Sequence, residues 1–387
     1  MTQVHFTLKQ TEIQKLIENS VQNELSKTIL TTVFNQLMEK QRDQYIGVDN
    51  YERGEERKST RNGYYEREYT TRVGSLTLRI PRTRDGQFST DIFERYQRHE
   101  QALLATMLEM YVSGVFTRKV SGVVEALCGK TISKSFVSTL TKELDEVVTA
   151  WQFAPFEKVY PYLMTDVVYI KVRENHRVVS KSCHISIGFN EKGDREVLGF
   201  LIQEGESETT WTKFFDYLKQ RQLKGLKLVI SDAHSGLIQA IKKSFTGVSW
   251  QRCQVHFLRN VFSSVPKKDS QRFREEVKAL FRLTDMEQAR AMKNSIIDRF
   301  LQDRHFEKAC RCLDEGFEDA MQYLIVGCAH SRIRSTNLLE RLNQELRRRE
   351  KVVRIFPNPA SANRLIGAVL MHQHEEWITS SRAYMKL

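Results

Sequence analysis

The chain has 387 residues, with 60 Lys and Arg against 48 Asp and Glu and a formal net charge of +12. A basic excess of this size points to a polyanionic partner, most simply nucleic acid. No apolar run approaches the roughly 20 residues of a membrane span, the first residues lack the apolar core of a signal peptide, and six irregularly spaced cysteines argue against a disulfide framework and for a reducing cytoplasm.

Apolar residues recur at helical spacing over residues 11–44. The charged stretch 49–62 reads as a linker. Two alternating runs then flank Arg72-Val73-Gly74, which predicts a β-hairpin ended by Pro81. Arg61, Arg67, Arg72, Arg79, Arg82 and Arg84 make it basic. Helical patterning returns over residues 100–151. Within it, a helix from Val120 to Leu127, a turn at Cys128-Gly129-Lys130-Thr131 and a second helix capped by Ser133 have the shape of a helix-turn-helix. An ordinary helical hairpin shares that pattern. Arg118, Lys119, Lys134 and Lys142 are its candidate DNA contacts, with Ser135 and Ser138 beside them.

From Tyr160 the pattern changes. The runs YLMTDVVYIKVR, KSCHISIGFN and REVLGFLIQ read as three strands with short connections, which favours antiparallel neighbours. A helix follows with Trp211, Phe214, Phe215 and Leu218 on one face. Then come a buried strand ending in ISD, a helix and a fifth strand, VSWQRCQV. That order predicts an α/β, ribonuclease-H-like catalytic domain preceded by a mainly helical DNA-binding region. Residues 256–330 are helical and charged without a strand pattern.

Three carboxylates stand out by position. Asp166 shares a strand face with Met164, Val168 and Ile170, where an uncompensated carboxylate is costly. Asp232 ends the fourth strand. Glu340 begins a late helix whose leucines, Leu338, Leu339, Leu342 and Leu346, form the opposite, buried face. Each has a plainer explanation: a solvated edge-strand acid, an N-cap for the helix near Ser235, and a capping box with Asn337. The predicted topology would bring all three to one edge of the sheet. Clustered carboxylates of this kind suit Mg²⁺ and phosphodiester chemistry.

The segments LMTDVVYIKVR, GDREVLGF, GESETTWTKFF, VISDAHSGL, WQRCQVHFLRN and STNLLERLNQELRRR, in this order, resemble the bacterial insertion-sequence transposases of the Mutator type. RNGYYEREYTTRVGSLTLRIPRTR and MLEMYVSGVFTRKVSGVVEALCGK extend the resemblance over nearly the whole chain. It implies that Asp166, Asp232 and Glu340 are an Asp-Asp-Glu triad holding Mg²⁺, with Mn²⁺ as a substitute. It implies a helical insertion before Glu340, and transposition through a circular intermediate made by copying out. The expected partners are double-stranded DNA, as terminal inverted repeats and target, and a second copy of the chain to hold two ends together. Rival classes are a ribonuclease-H-like nuclease or resolvase that does not join strands, and a DNA-binding regulator without catalysis.

Cys253 and His256 belong to the Cys-x-x-His pair of that resemblance. A structural zinc site needs four ligands and this motif supplies two, so zinc is not expected. The segment is instead assigned to the DNA: His256 and Arg259 near the scissile phosphate, Cys253 packed in the sheet. Arg341, Arg347 and Arg348 lie in the densest basic stretch and are assigned to phosphates. The resulting organisation is a helical region with a basic hairpin (1–95), helix-turn-helix-like DNA-binding helices (96–155), the catalytic domain (156–255 and 331–350), the insertion (256–330) and a helical tail (351–387). The expected location is the cytoplasm, at the nucleoid.

Overall fold

The computed structural model describes residues 24–48, 57–71, 74–93, 101–128, 132–265, 270–328, 330–380 and 383–385. The chain divides into two units, Met1–Lys142 and Glu143–Leu387. No helix among the described residues is long and apolar enough to cross a membrane. The part of the first expected helix before Glu24, and the turns at 72–73 and 129–131, lie outside the described residues.

In the first unit, helix α1 (Glu24–Ile46) packs on a hairpin of β1 (Arg61–Thr71) and β2 (Gly74–Thr83). Met38, Tyr69, Leu76, Leu78, Ile80 and Phe93 form the core between them. β2 does not end at Pro81, as the sequence suggests, but runs on to Thr83. Pro81 sits opposite Tyr64, next to a register shift between Arg61 and Tyr64. Proline is tolerated beside such an irregularity because no ladder donor is needed there. Helices α2 (Gln101–Val112), α3 (Thr117–Cys128) and α4 (Lys134–Thr141) bury Met107, Val120, Val124, Val137 and Leu140 together. Ser133 caps α4, its side chain accepting from the Phe136 amide at 3.1 Å. Arg118, Lys119, Lys134 and Lys142 all stay exposed.

The second unit is built on a five-stranded sheet in the order β5-β4-β3-β6-β7. β3 (Tyr162–Glu174), β4 (Arg177–Phe189) and β5 (Arg195–Gln203) are antiparallel; β6 (Leu228–Ser231) and β7 (Ser249–Arg252) run parallel to β3. The architecture is therefore mixed α/β. The period-two pattern of β3 decides the layering. Leu163 and Val167 pack with α6 (Glu208–Gln220) and α7 (Ser235–Ser244), around Trp211, Phe214, Phe215, Leu237 and Ile241. Val168 and Ile170 lie on the other face, with Leu346, Leu365, Ile366 and Val369 of the last two helices.

Between β7 and those helices run α8 (Gln254–Ser263), α9 (Gln271–Leu280), α10 (Met286–Phe300), α11 (Glu307–Ala320) and the short α12 (Gln322–Ile325). They surround the buried rings Phe257, Phe273 and Phe317. α13 (Asn337–Val353) is fixed at both ends. At its start, the Thr336 amide and hydroxyl both donate to Cys253 Sγ, at 3.4 and 3.3 Å. Beyond its end, Phe356 exchanges backbone hydrogen bonds with Lys171 and Arg173 of β3. α14 (Pro359–Ile378) covers the sheet and reaches α5 (Leu144–Phe153) through a bidentate Arg364–Asp145 pair at 2.8 and 2.6 Å. Residues 359–378 thus contribute core packing to the second unit.

Candidate functional site

Strand pairing brings two acids level. Met164 lies opposite Ile230 in the parallel β3–β6 pair. Two residues further along each chain stand Asp166 and Asp232, the second just past the end of β6. Asp166 is on the face covered by α13, and Asn343 of that helix donates to its Oδ2 at 2.8 Å. The Val167 amide donates to Oδ1 at 2.8 Å. Burial, with the charge of Asp232 added to it, raises the Asp166 carboxyl to about 6 against the opposing hydrogen bond.

Glu340 lies one turn before Asn343 on α13. Its amide donates to Thr336 O, and Thr336 occupies the N-cap. Asn337 is already inside the helix, so no capping box with Glu340 forms. Asp232 caps nothing either: the N-cap of α7 is His234. The carboxylate of Asp232 instead meets Nδ1 of His256, while His256 Nε2 lies 3.1 Å from Glu340 Oε1. Hydrogen bonding to Asp232, and then to Cys253, raises His256 to about 10 despite burial. The imidazolium therefore stands between two acids that are 108 residues apart in sequence.

Cys253 corrects two expectations. It is not in the sheet but at the N-cap of α8, after β7 has ended. It is also fully buried (0% exposed), so it has no surface to offer DNA. Burial pushes its thiol up, but the hydrogen bonds from His256 and Thr336 outweigh that and hold it below the usual range. The ligand atoms of Asp232, Cys253 and His256 lie within 4.8 Å of one another. That makes three donors where a closed zinc site has four.

The acids open into a cleft of about 800 Å³. Arg252, Arg259 and Arg347 line it, as do Asn343 and Gln344. Glu340, Asn343, Gln344 and Arg347 make one stripe along α13 at i, i+3, i+4 and i+7. Arg348 lies off the cleft, paired with Glu345 at 3.1 Å. Arg341 lines a different concavity.

Sequence reasoning missed Asn343, Arg252 and a fourth acid, Glu206. Glu206 follows the end of β5 and precedes the Ser207–Thr210 capping box of α6. Trp211 Nε1 donates to it at 3.1 Å, and His234 Nδ1 lies 3.6 Å away. A Cβ on Gly236 would meet the Glu208 amide at 2.7 Å, so only glycine lets α7 begin this close to Glu206. An acid just past a strand end was the available signal.

Comparison with known proteins bears on this site. The family model described as "Transposase, Mutator family" matches residues 1–380. The chain is 65% identical over 386 residues to the transposase for insertion sequence element IS256 in transposon Tn4001 of Staphylococcus aureus, covering 100% of this chain and 99% of that protein. It is 40% identical over 357 residues to the transposase for insertion sequence element ISRM5 of Rhizobium meliloti (strain 1021), covering 92% and 89%. Among solved structures, the Mos1 strand transfer complex matches at 10% identity and a TM-score of 0.18, over 63% of this chain and 82% of that one. That likeness is too remote to carry an argument.

Proposed function

Because this chain belongs to the Mutator family of transposases, we propose that it cleaves the ends of an insertion sequence and joins them to new DNA, using Asp166, Asp232 and Glu340. The observation that carries this reading is the convergence of three carboxylates from β3, the end of β6 and α13 on one cleft. The strand order, with a parallel pair grafted onto an antiparallel meander, supports a ribonuclease-H-like assignment.

The donor set fits a pair of hard divalent cations. It consists of carboxylate oxygens, and burial together with the charge of Asp232 raises the Asp166 carboxyl, so an added positive charge would favour its ionised form. Asp166, Asp232 and Glu340 would hold Mg²⁺ or Mn²⁺, which would supply activation of the attacking oxygen and stabilisation of the leaving one. The chain does the rest. Val167 and Asn343 orient the Asp166 carboxylate. His256 holds Asp232 and Glu340 towards each other. Arg252, Arg259 and Arg347 supply positive charge to the scissile strand.

In the first unit, Arg118, Lys119, Lys134 and Lys142 on α3 and α4 bind the terminal inverted repeats. A freed 3′-OH then attacks DNA. Resemblance to the family supports a copied-out circular intermediate, and the need to hold two ends supports a dimer or larger assembly. The test is strand transfer from a pre-cleaved end. Wild type with Mg²⁺ joins a 3′-OH end to target duplex, and Glu340→Gln does not. Cleavage without any joining by wild type would leave a nuclease and refute the transposase reading.

A further inference from the structure

A second concavity of about 350 Å³ lies on another flank of α13. The β4–β5 turn and start of β5 supply Asp194 and Arg195; a short 3₁₀ turn, Ser331–Ile333, supplies Arg332; α13 supplies Arg341; α14 supplies Trp377; and the C-terminal segment supplies Tyr384. That segment is held in place: the Met385 amide donates to Gly193 O at 2.9 Å, Met385 is buried, and the Tyr384 ring stacks on Phe189 at 5.7 Å.

The arginines are organised by the aromatics. The Arg195 guanidinium lies 4.5 Å from the Trp377 ring centre and 4.6 Å from that of Tyr384. Arg332 stacks on Tyr384 at 4.3 Å and donates to its carbonyl oxygen. Such stacking fixes a guanidinium in place and leaves its N–H edges available. Several arginines of the unit are paired with acids, Arg299 with Glu276, Arg349 with Glu345 and Arg364 with Asp145. Among the described residues, Arg195, Arg332 and Arg341 make no ion pair with a carboxylate. Asp194, the one acid lining the pocket, accepts from Asn190 Nδ2 at 3.1 Å. Burial, and then the nearby charges of Arg332 and Arg341, pull Arg195 below the usual guanidinium range. Three like charges gathered around one hollow are costly without an anion.

We propose that Arg195, Arg332 and Arg341, framed by Trp377 and Tyr384, form a second phosphate site that grips the backbone of the DNA strand beside the catalytic cleft. The inference rests on the strand-cleaving reading above. Arg341 directly follows Glu340, about 100° around the same helix. A helix is roughly 10 Å across with its side chains, and a strand advances about 3.4 Å per nucleotide. A duplex strand whose scissile phosphate lies at Glu340 would therefore meet the arginines within a few nucleotides.

The experiment is fluorescence anisotropy of a labelled element-end duplex, titrated in EDTA over a range of salt concentrations. Arg332→Ala with Arg341→Ala alters exposed side chains; it removes the Arg332 contacts to Tyr384, so the melting temperature is measured beside it and should fall only slightly. It is expected to weaken binding about tenfold or more near 0.15 M salt and to lower the salt slope by about 2, close to one for each phosphate that is no longer neutralised. Arg332→Lys with Arg341→Lys keeps the charges and most of the slope. Arg311→Ala, which removes one positive charge that Glu307 neutralises, should leave the slope unchanged. An unchanged slope in the double alanine variant, or an equal fall in Arg311→Ala, overturns the site. So does inorganic pyrophosphate binding that these substitutions abolish while duplex affinity stays intact, since the hollow would then serve a small anion. If wild type binds no duplex at all, the transposase reading fails first.

Discussion

Helix α13 borders two concavities that differ in charge: among the described residues, one mixes acids with arginines and the other gathers arginines against a single acid. On one side Asp166, Asp232 and Glu340 gather carboxylates around His256; on the other Arg195, Arg332 and Arg341 gather guanidiniums around two aromatic rings. Each collection repels itself; Arg252, Arg259, Arg347 and His256 offset the acids, whereas Asp194 alone faces the three guanidiniums. The acids are fixed by Asn343, a backbone amide and one imidazolium. The arginines are fixed by stacking. Unrelieved charge of either sign marks where a counter-charged ligand would contribute most. The first hollow asks for a cation, the second for an anion, and a DNA strand carried with divalent metal satisfies both.

The largest losses are expected at the acids. Asp232→Asn or Glu340→Gln should lower metal-dependent cleavage about 10³-fold or more, measured as initial rate on an end-labelled duplex, with duplex affinity kept. Asn343→Ala should act through Asp166 as a positioning change. Cleavage falls about 10–100-fold at limiting Mg²⁺ and recovers in part at high Mg²⁺; a loss that Mg²⁺ cannot recover would point to a different role.

The charge state of the cleft predicts a pH dependence for the metal-free protein. His256 is raised to about 10, so its contribution to stability is complete below about 6.5 and is lost as pH rises towards 10. Asp166 is raised to about 6, so stability is also lost as it ionises between about 4 and 6. Melting temperatures in EDTA should therefore fall across both windows, and Mg²⁺ should raise them at neutral pH. A rise in metal-free stability from pH 7 to 9 would contradict the His256 assignment.

The smallest effect sharpens the contrast among arginines. Arg348 is expected from sequence to meet phosphate but is paired with Glu345. Arg348→Ala should change stability by no more than about 0.5 kcal/mol and barely alter the salt slope of binding, whereas Arg341→Ala lowers that slope.

Much of the second unit is legible because its signals are local. Alternation over YLMTDVVYIKVR predicts a strand from Tyr162 to Arg173, and β3 runs Tyr162–Glu174. The leucine face of α13 reads directly as the buried side. Asp166, Asp232 and Glu340 can be singled out because each sits at an element end or on a face that disfavours it. Other features depend on tertiary neighbours that no local pattern encodes. Asn343 gains its meaning only once α13 is laid along β3. Glu206 needs the close approach allowed at Gly236. His256 reads as a DNA contact because nothing in RCQVH reveals that α8 aims it between two acids. Cys253 reads as a strand residue because β7 stops at Arg252, three positions before the end of the run VSWQRCQV. The arginine hollow draws on five separate stretches of chain, so it has no sequence signature.

The most direct test of the central claim incubates a labelled element-end duplex with wild type and with Asp166→Asn, each in Mg²⁺ and in EDTA, while binding is followed in parallel. The account predicts cleavage by wild type in Mg²⁺ alone, and none by Asp166→Asn, which still binds the duplex. Equal cleavage by Asp166→Asn, or undiminished cleavage by wild type in EDTA, would contradict it.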